Sequence, residues 1–225
     1  MFKPGAILDA MRAEDGSIVD VSFAYPEKWT VAKGPNLDVR DVYTSDSAFL
    51  LVAPLPAGKR SVADLKPKFF TDLLFAPEGK YGAYGSVDDF KTGEVTSVDL
   101  TSPSGVSQTY KRLSVRFDAI TFNQNTVTRQ ARISATALDG SVFVMVAGCL
   151  GKRAKAAAKD LTEVQSSFRA YRSSSSRAAE LEKAQAERAK EIEAEMGLND
   201  DMAYSRAQDG TVGATSTGRI GNRLE

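Results

Sequence analysis

Apolar and polar residues alternate at a spacing of two over much of the chain, which predicts a strand-rich domain interrupted by two helical stretches. Ser17-Ile-Val-Asp-Val-Ser-Phe-Ala-Tyr25 is a near-alternating β-branched and aromatic run that Pro26 stops. Asp38–Tyr43 and Ala48–Ala53 read as two further strands, joined by the polar turn Thr44-Ser45-Asp46-Ser47. Ser61-Val-Ala-Asp64 is a helix start signal, and Pro67 suits the first turn of a helix whose Phe69, Phe70, Leu73 and Leu74 share one face. Pro77–Ser86, with three glycines and two tyrosines, reads as a loop.

The pattern then returns to strands. Thr96–Leu100 precedes a Ser-Pro-Ser-Gly turn, and Tyr110–Thr121 and Thr128–Leu138 flank the Asn123-Gln124-Asn125 turn. Asp139-Gly140 is the strongest hairpin signal, because a type I′ turn needs two residues that tolerate positive φ. It leads into Ser141–Cys149, apolar enough to be buried on both faces. Lys152–Phe168, rich in Ala and Lys, favours helix. Four serines, Ser173–Ser176, mark a boundary. Beyond them Arg177–Met196 predicts a helix with a stripe of Ala178, Leu181, Ala189, Ile192 and Met196, and Asn199–Glu225 is polar and Gly/Thr/Ser-rich. The organisation expected is an N-terminal extension over 1–16, a domain over 17–171, and a C-terminal extension over 172–225 with its helix at 177–196. The fold class expected is α+β, a single central antiparallel sheet flanked by helices.

Composition narrows the chemistry. Lys+Arg and Asp+Glu are both 29 in 225 residues, so no long-range field draws the chain to nucleic acid or an anionic membrane. There is no histidine, which removes the commonest general base and the commonest transition-metal ligand together. The single cysteine, Cys149, sits among apolar residues as a small core side chain. No apolar run is long enough to span a bilayer, and Met1–Ala6 has no targeting pattern, so either the protein stays where it is made or a presequence precedes this numbering. With no G-x-S-x-G element and no phosphate-binding glycine loop, the reading is of a protein that is not an enzyme.

Binding candidates remain. Asp88, Asp89 and Asp99 offer oxygen ligands for Ca²⁺ or Mn²⁺, short of the six or more that such ions usually take, and no cofactor is expected. Tyr81 and Tyr84, placed between glycines, are contact candidates if exposed. Lys152, Arg153, Lys155 and Lys159 gather at the start of the closing helix, with Arg169 and Arg172 at its end, a set suited to docking on an acidic partner. Leu181, Ile192 and Met196 form an apolar stripe too narrow to stand alone in water, and are expected to bury on their own domain or in a neighbouring subunit's groove.

Four motifs in this order resemble the PsbP family, extrinsic proteins on the lumenal side of photosystem II. Phe23-Ala-Tyr-Pro26 with Trp29 resembles its F-x-x-P-x-x-W opening, and Ser61–Leu65 with Phe69–Leu74 its first helix region. Asp139-Gly-Ser-Val-Phe143 resembles its D-G-x-L-Y hairpin, and Lys152-Arg153 with Ser166-Ser-Phe168 its K-R-W…S-S-F closing helix. The match spans Ser17 to Tyr171. It implies an α-β-α sandwich of the PsbP/Mog1 type, a thylakoid-lumen location, and docking on photosystem core, antenna or extrinsic subunits with support of oxygen evolution. Other members imply assembly factors or photosystem I-associated subunits, and the related Mog1 type implies binding of a small GTPase. Three departures stand out. Ala154 replaces the family's tryptophan, the histidine through which members hold divalent metals is absent, and 54 residues follow Tyr171.

Overall fold

A computed structural model describes residues 4–174 apart from 33–36, 78, 83–84 and 122, together with 176–180, 183 and 187. The chain divides into two units, Met1–Ser173 and Ser174–Glu225.

In the first unit ten strands and two α-helices follow in the order β1 (Pro4–Arg12), β2 (Ile18–Pro26), β3 (Thr30–Val31), β4 (Asp38–Arg40), β5 (Ser47–Pro54), α1 (Pro67–Phe75), β6 (Gly85–Thr101), β7 (Ser107–Thr121), β8 (Thr126–Leu138), β9 (Ser141–Leu150), α2 (Ala154–Ser167) and β10 (Arg169–Arg172). Seven strands make one antiparallel sheet in the order β3-β4-β5-β9-β8-β7-β6, and three make a second, β1-β2-β10. The central antiparallel sheet and its flanking helices are as expected; the second sheet corrects the single-sheet reading. The N-terminal extension is also corrected. Pro4–Arg12 pairs with β2 along its whole length, from Pro4 opposite Pro26 to Arg12 opposite Ile18.

The double-sided burial of β9 organises the core. Its odd positions, Phe143, Met145, Ala147 and Cys149, pack with Val19, Val21 and Phe23 of β2 and with Ala157, Leu161 and Val164 of α2. Its even positions, Val142, Val144 and Val146, pack with Phe70 and Leu74 of α1 and with Leu113, Val115 and Phe117 of β7. A period of two in one strand thus divides two cores. Trp29 joins the first core, with Phe168.

Local signals act where they were read, with refinements. Ser61 and Asp64 do form a reciprocal capping box, but they cap a short 3-10 turn, Val62–Asp64. Leu65 and Lys66 are extended, as the residue before a proline prefers, and α1 then begins with Pro67 in its first turn. The carbonyls left by this break are not orphaned: the buried Lys111 ammonium donates to Ala63 O at 3.0 Å and Leu65 O at 2.5 Å. Asp139 (φ 51°) and Gly140 (φ 75°) form the expected hairpin turn. The Asp139 carboxylate also accepts a forked pair of bonds from Arg172 and one from the Ser17 hydroxyl at 2.9 Å. Tyr110 fixes β10 from the other side, its hydroxyl donating to Ala170 O at 3.1 Å and accepting from Ala170 N–H at 3.0 Å.

In the second unit residues 176–180 are helical, and the Ser174 hydroxyl accepts from Arg177 N–H at 3.4 Å. Most of the predicted helix over 177–196 and all of 197–225 lie outside the described residues. Among the described residues no helix is long and apolar enough to cross a membrane.

Candidate docking surface

Strand β4 and its turn into β5 carry three buried carboxylates. Asp38, Asp41 and Asp46 have side chains only 8%, 5% and 4% exposed. Each meets a cation from a different part of the chain. Lys80, from the segment after α1, lies 2.5 Å from Asp38; Lys28, from the turn after β2, lies 3.3 Å from Asp41. Arg153, at the start of α2, donates to Asp46 from the Nε and Nη2 edge of its guanidinium, at 3.2 and 2.9 Å. Buried ion pairs contribute little net stability, because desolvation offsets their attraction. What three of them do supply is position.

The tip between the pairs is closed by its own backbone. Asp41 N–H donates to Asp46 O at 2.8 Å, and Ser45 N–H to Asp41 O at 3.1 Å. The Asp41 carboxylate accepts from Tyr43 N–H at 2.9 Å and Thr44 N–H at 3.3 Å, the turn that a short acidic side chain makes with its own backbone. Burial alone would raise the Asp41 pKa. The Tyr43 N–H, the Lys28 ammonium and Thr44 outweigh it and hold the carboxyl below its ordinary value. Hydrogen bonding to Asp46 in turn raises the Arg153 pKa. Ser45 takes φ 61°, the one left-handed residue in the tip.

This frame carries Val42, 67% exposed, and Tyr43, 94% exposed. The alternation predicts a strand over Asp38–Tyr43 that ends on both; the strand stops at Arg40 because the Asp41 carboxylate turns onto the amides of Tyr43 and Thr44. The available signal was the Asp41…Asp46 frame around a Thr-Ser pair.

The basic cluster separates into two kinds of residue. Lys152, Lys155 and Lys159 are exposed, as a docking face requires. Arg153 is committed to Asp46, Arg172 to Asp139, and Arg169 to the carbonyls of Ser166 and Phe168. The expectation of a free contact charge is therefore corrected for Arg153.

Tyr81 is corrected more sharply. It is 9% exposed and packs in the second core, with ring centroids 4.8 Å from Phe117 and 5.7 Å from Phe49. The glycines that suggested an open loop are what bring it in. A Cβ on Gly82 would come within 2.0 Å of Ala76 O, and one on Gly148 within 2.5 Å of the Tyr81 hydroxyl. Burial, eased by the Arg129 guanidinium 5.5 Å from the ring centre, pushes the phenol up to about 12. It is a packing residue, not a partner contact. Tyr84, Leu181, Ile192 and Met196 lie outside the described residues.

The carboxylates proposed for Ca²⁺ or Mn²⁺ are not brought together. Asp88 and Asp99 stand on the same strand, β6, roughly 35 Å apart at the rise of an extended chain. Asp89 lies 3.3 Å from Lys91, and Asp99 accepts from the Thr109 hydroxyl at 2.7 Å. Among the described residues no group of three or more acids or thiols has a metal-holding arrangement.

Among the described residues, two open clefts of about 290 Å³ lie beside the large sheet. One lies between α1 and β6, lined by Asp72, Phe75, Val87 and the half-exposed Phe90. The other lies beside the start of α2, lined by Arg116, Thr128, Gln130 and Lys152.

No family model matches the chain, and no curated protein matches it in sequence. Solved structures do. Cyanobacterial PsbP (CyanoP) from Synechocystis is 19% identical with a TM-score of 0.42, over 73% of this chain and 92% of its own. The Ran-binding protein Mog1p of Saccharomyces cerevisiae is 11% identical with a TM-score of 0.42, over 73% and 96%. LpqN of Mycobacterium tuberculosis, involved in cell envelope biogenesis, is 12% identical with a TM-score of 0.40, over 74% and 91%. PsbP and Mog1, which share a fold, thus both stand among the structures this chain is similar to.

Proposed function

We propose that the chain is a non-catalytic docking protein of the PsbP type, which binds the lumenal face of a photosynthetic membrane complex, photosystem II foremost, and stabilises it. The observation that carries this reading is the set of four family motifs in family order. Their residues also do connected work in this domain. Phe23 and Trp29 of the opening motif and Phe168 of the closing one meet in one core. Asp139-Gly140 makes the hairpin turn and anchors Arg172, and Arg153 of the Lys-Arg pair fixes the β4–β5 tip. Support for a role without catalysis comes from a chain with no histidine and from the lining of the two clefts described above. The cleft beside α2 has no carboxylate, and the one beside α1 has Asp72, already 2.6 Å from Lys68.

Fractionation of detergent-solubilised thylakoids tests the reading. The protein is expected on photosystem II in near-equimolar amount and is released by about 1 M salt, which screens contacts between exposed charges. Migration on a partial complex in trace amount supports an assembly factor instead, and migration as a free monomer ends the proposal.

A further inference from the structure

We infer that the β4–β5 tip is the anchor of the docking surface, and that it fits a protein partner presenting an apolar socket ringed by carboxylates. The inference rests on the docking reading and names the element and the partner chemistry that reading leaves open.

Three observations converge on it. First, Tyr43 and Val42 stand in solvent, yet the turn that carries them is fixed by four internal hydrogen bonds and by Lys28, Arg153 and Arg129 from three other segments. Rigid aromatic side chains are the usual anchors of interfaces, since little side-chain freedom is lost when they seat. Second, the acids here are turned inward and neutralised, while the cations face outward. Lys28 is 59% and Arg40 54% exposed at the base of the tip. Arg129 donates to Ser45 O at 3.4 Å, and Lys152, next to the Arg153 that grips Asp46, is exposed. A chain of zero net charge therefore carries a local cationic rim, whose complement is an acidic one. Third, the rigidity selects between classes of partner. A lipid surface is fluid and gains nothing from a backbone turn held in one shape; a socket of fixed shape does.

Binding of the full chain to two probes tests this. One is thylakoid membrane washed free of peripheral protein; the other is protein-free vesicles of thylakoid lipid composition. Tyr43→Ala is expected to weaken binding to the washed membrane by about tenfold or more, with no shift in the unfolding midpoint because the ring lies almost wholly in solvent. Tyr43→Phe should retain most of the affinity. Asp46→Asn, which keeps Tyr43 but frees Arg153 from its carboxylate, is expected to weaken binding by a smaller factor of about three. Tyr43→Ala binding like the wild type overturns the inference and leaves the docking reading standing. Equal binding to the protein-free vesicles overturns it in favour of a lipid surface. A wild-type chain that binds neither probe removes the inference and the docking reading together.

Discussion

The β4–β5 tip and the β6–β7 arm are both hairpins at opposite edges of one sheet, and they are held in opposite ways. The tip is short, and Lys28, Arg153 and Arg129 from three other segments reach in to fix it. The arm is long: β6 runs for 17 residues, exposed along most of its length, and joins β7 through a ladder with two irregularities, at Asp88/Lys91 and Thr92/Val95. One end is attached by a row of rings, Phe90 on Phe75 at 5.6 Å, Phe75 on Phe117 at 4.8 Å, and Phe117 on Tyr81 at 4.8 Å; nearer the turn Val98, Leu100 and Tyr110 pack on the first core. The difference separates two uses of an exposed edge. Bulges and the charges Asp88, Asp89, Lys91 and Glu94 discourage strand pairing along β6. Fixed geometry and exposed apolar side chains at the tip invite a contact.

The comparison breaks most severely at the root of the arm. Phe117→Ala removes the ring that links Phe75 to Tyr81 and should cost about 4 kcal/mol in denaturant unfolding, with the arm's amides losing exchange protection before those of the tip. An equal loss in both hairpins would mean that they do not have separate supports. A smaller effect is expected at the tip. Asp46→Asn leaves Arg153 without its carboxylate, and because that guanidinium is 30% exposed the cost should be about 2 kcal/mol or less. Replacing both partners with apolar residues, Asp46→Leu with Arg153→Met, should restore most of it, which would confirm that the pair's value is positional. The smallest effect is in acid. Asp41 has a folded-state pKa below its ordinary value of 3.8, so its contribution to stability is complete above that value and is lost as pH falls from there through the lowered pKa. Melting temperatures between pH 5 and about 2.5 should therefore fall more steeply for the wild type than for Asp41→Asn. Parallel curves would show that the carboxylate is not held as described.

The sequence showed most of the body of the domain and little of its edges, for a physical reason. A strand buried on both faces writes an apolar run, so Ser141–Cys149 was plain; a hairpin that needs two left-handed residues writes Asp-Gly. The front half of β6 is exposed on both faces, so nothing constrains Asp88–Glu94 to alternate, and the segment read as loop and silence. β10 is four residues with an arginine at each end, and only Phe168 before it and Ala170 within it mark the core. β1 shows the same limit, since Leu8 lies 53% exposed and the pairing with β2 is made by backbone. In the candidate surface, Lys152, Lys155 and Lys159 were legible as a charged face. Arg153 was not separable from them, because its partner Asp46 lies more than a hundred residues away. Tyr81 misled because glycine serves both open loops and close packing, and sequence does not distinguish them. Tyr43 was hidden inside a strand pattern that Asp41 terminates by bonding to its own backbone.

The last strand of the domain has a consequence for how the protein is made. β2 is synthesised more than 140 residues before β10, yet one of its edges is paired only by Arg169–Arg172. Phe168 and the Tyr110–Ala170 clasp arrive with that same short stretch. A nascent chain cannot close the small sheet or complete the first core until this stretch has left the ribosome. Until then it carries an open strand edge, so the small sheet and the first core close only once β10 has emerged, however early β2 did.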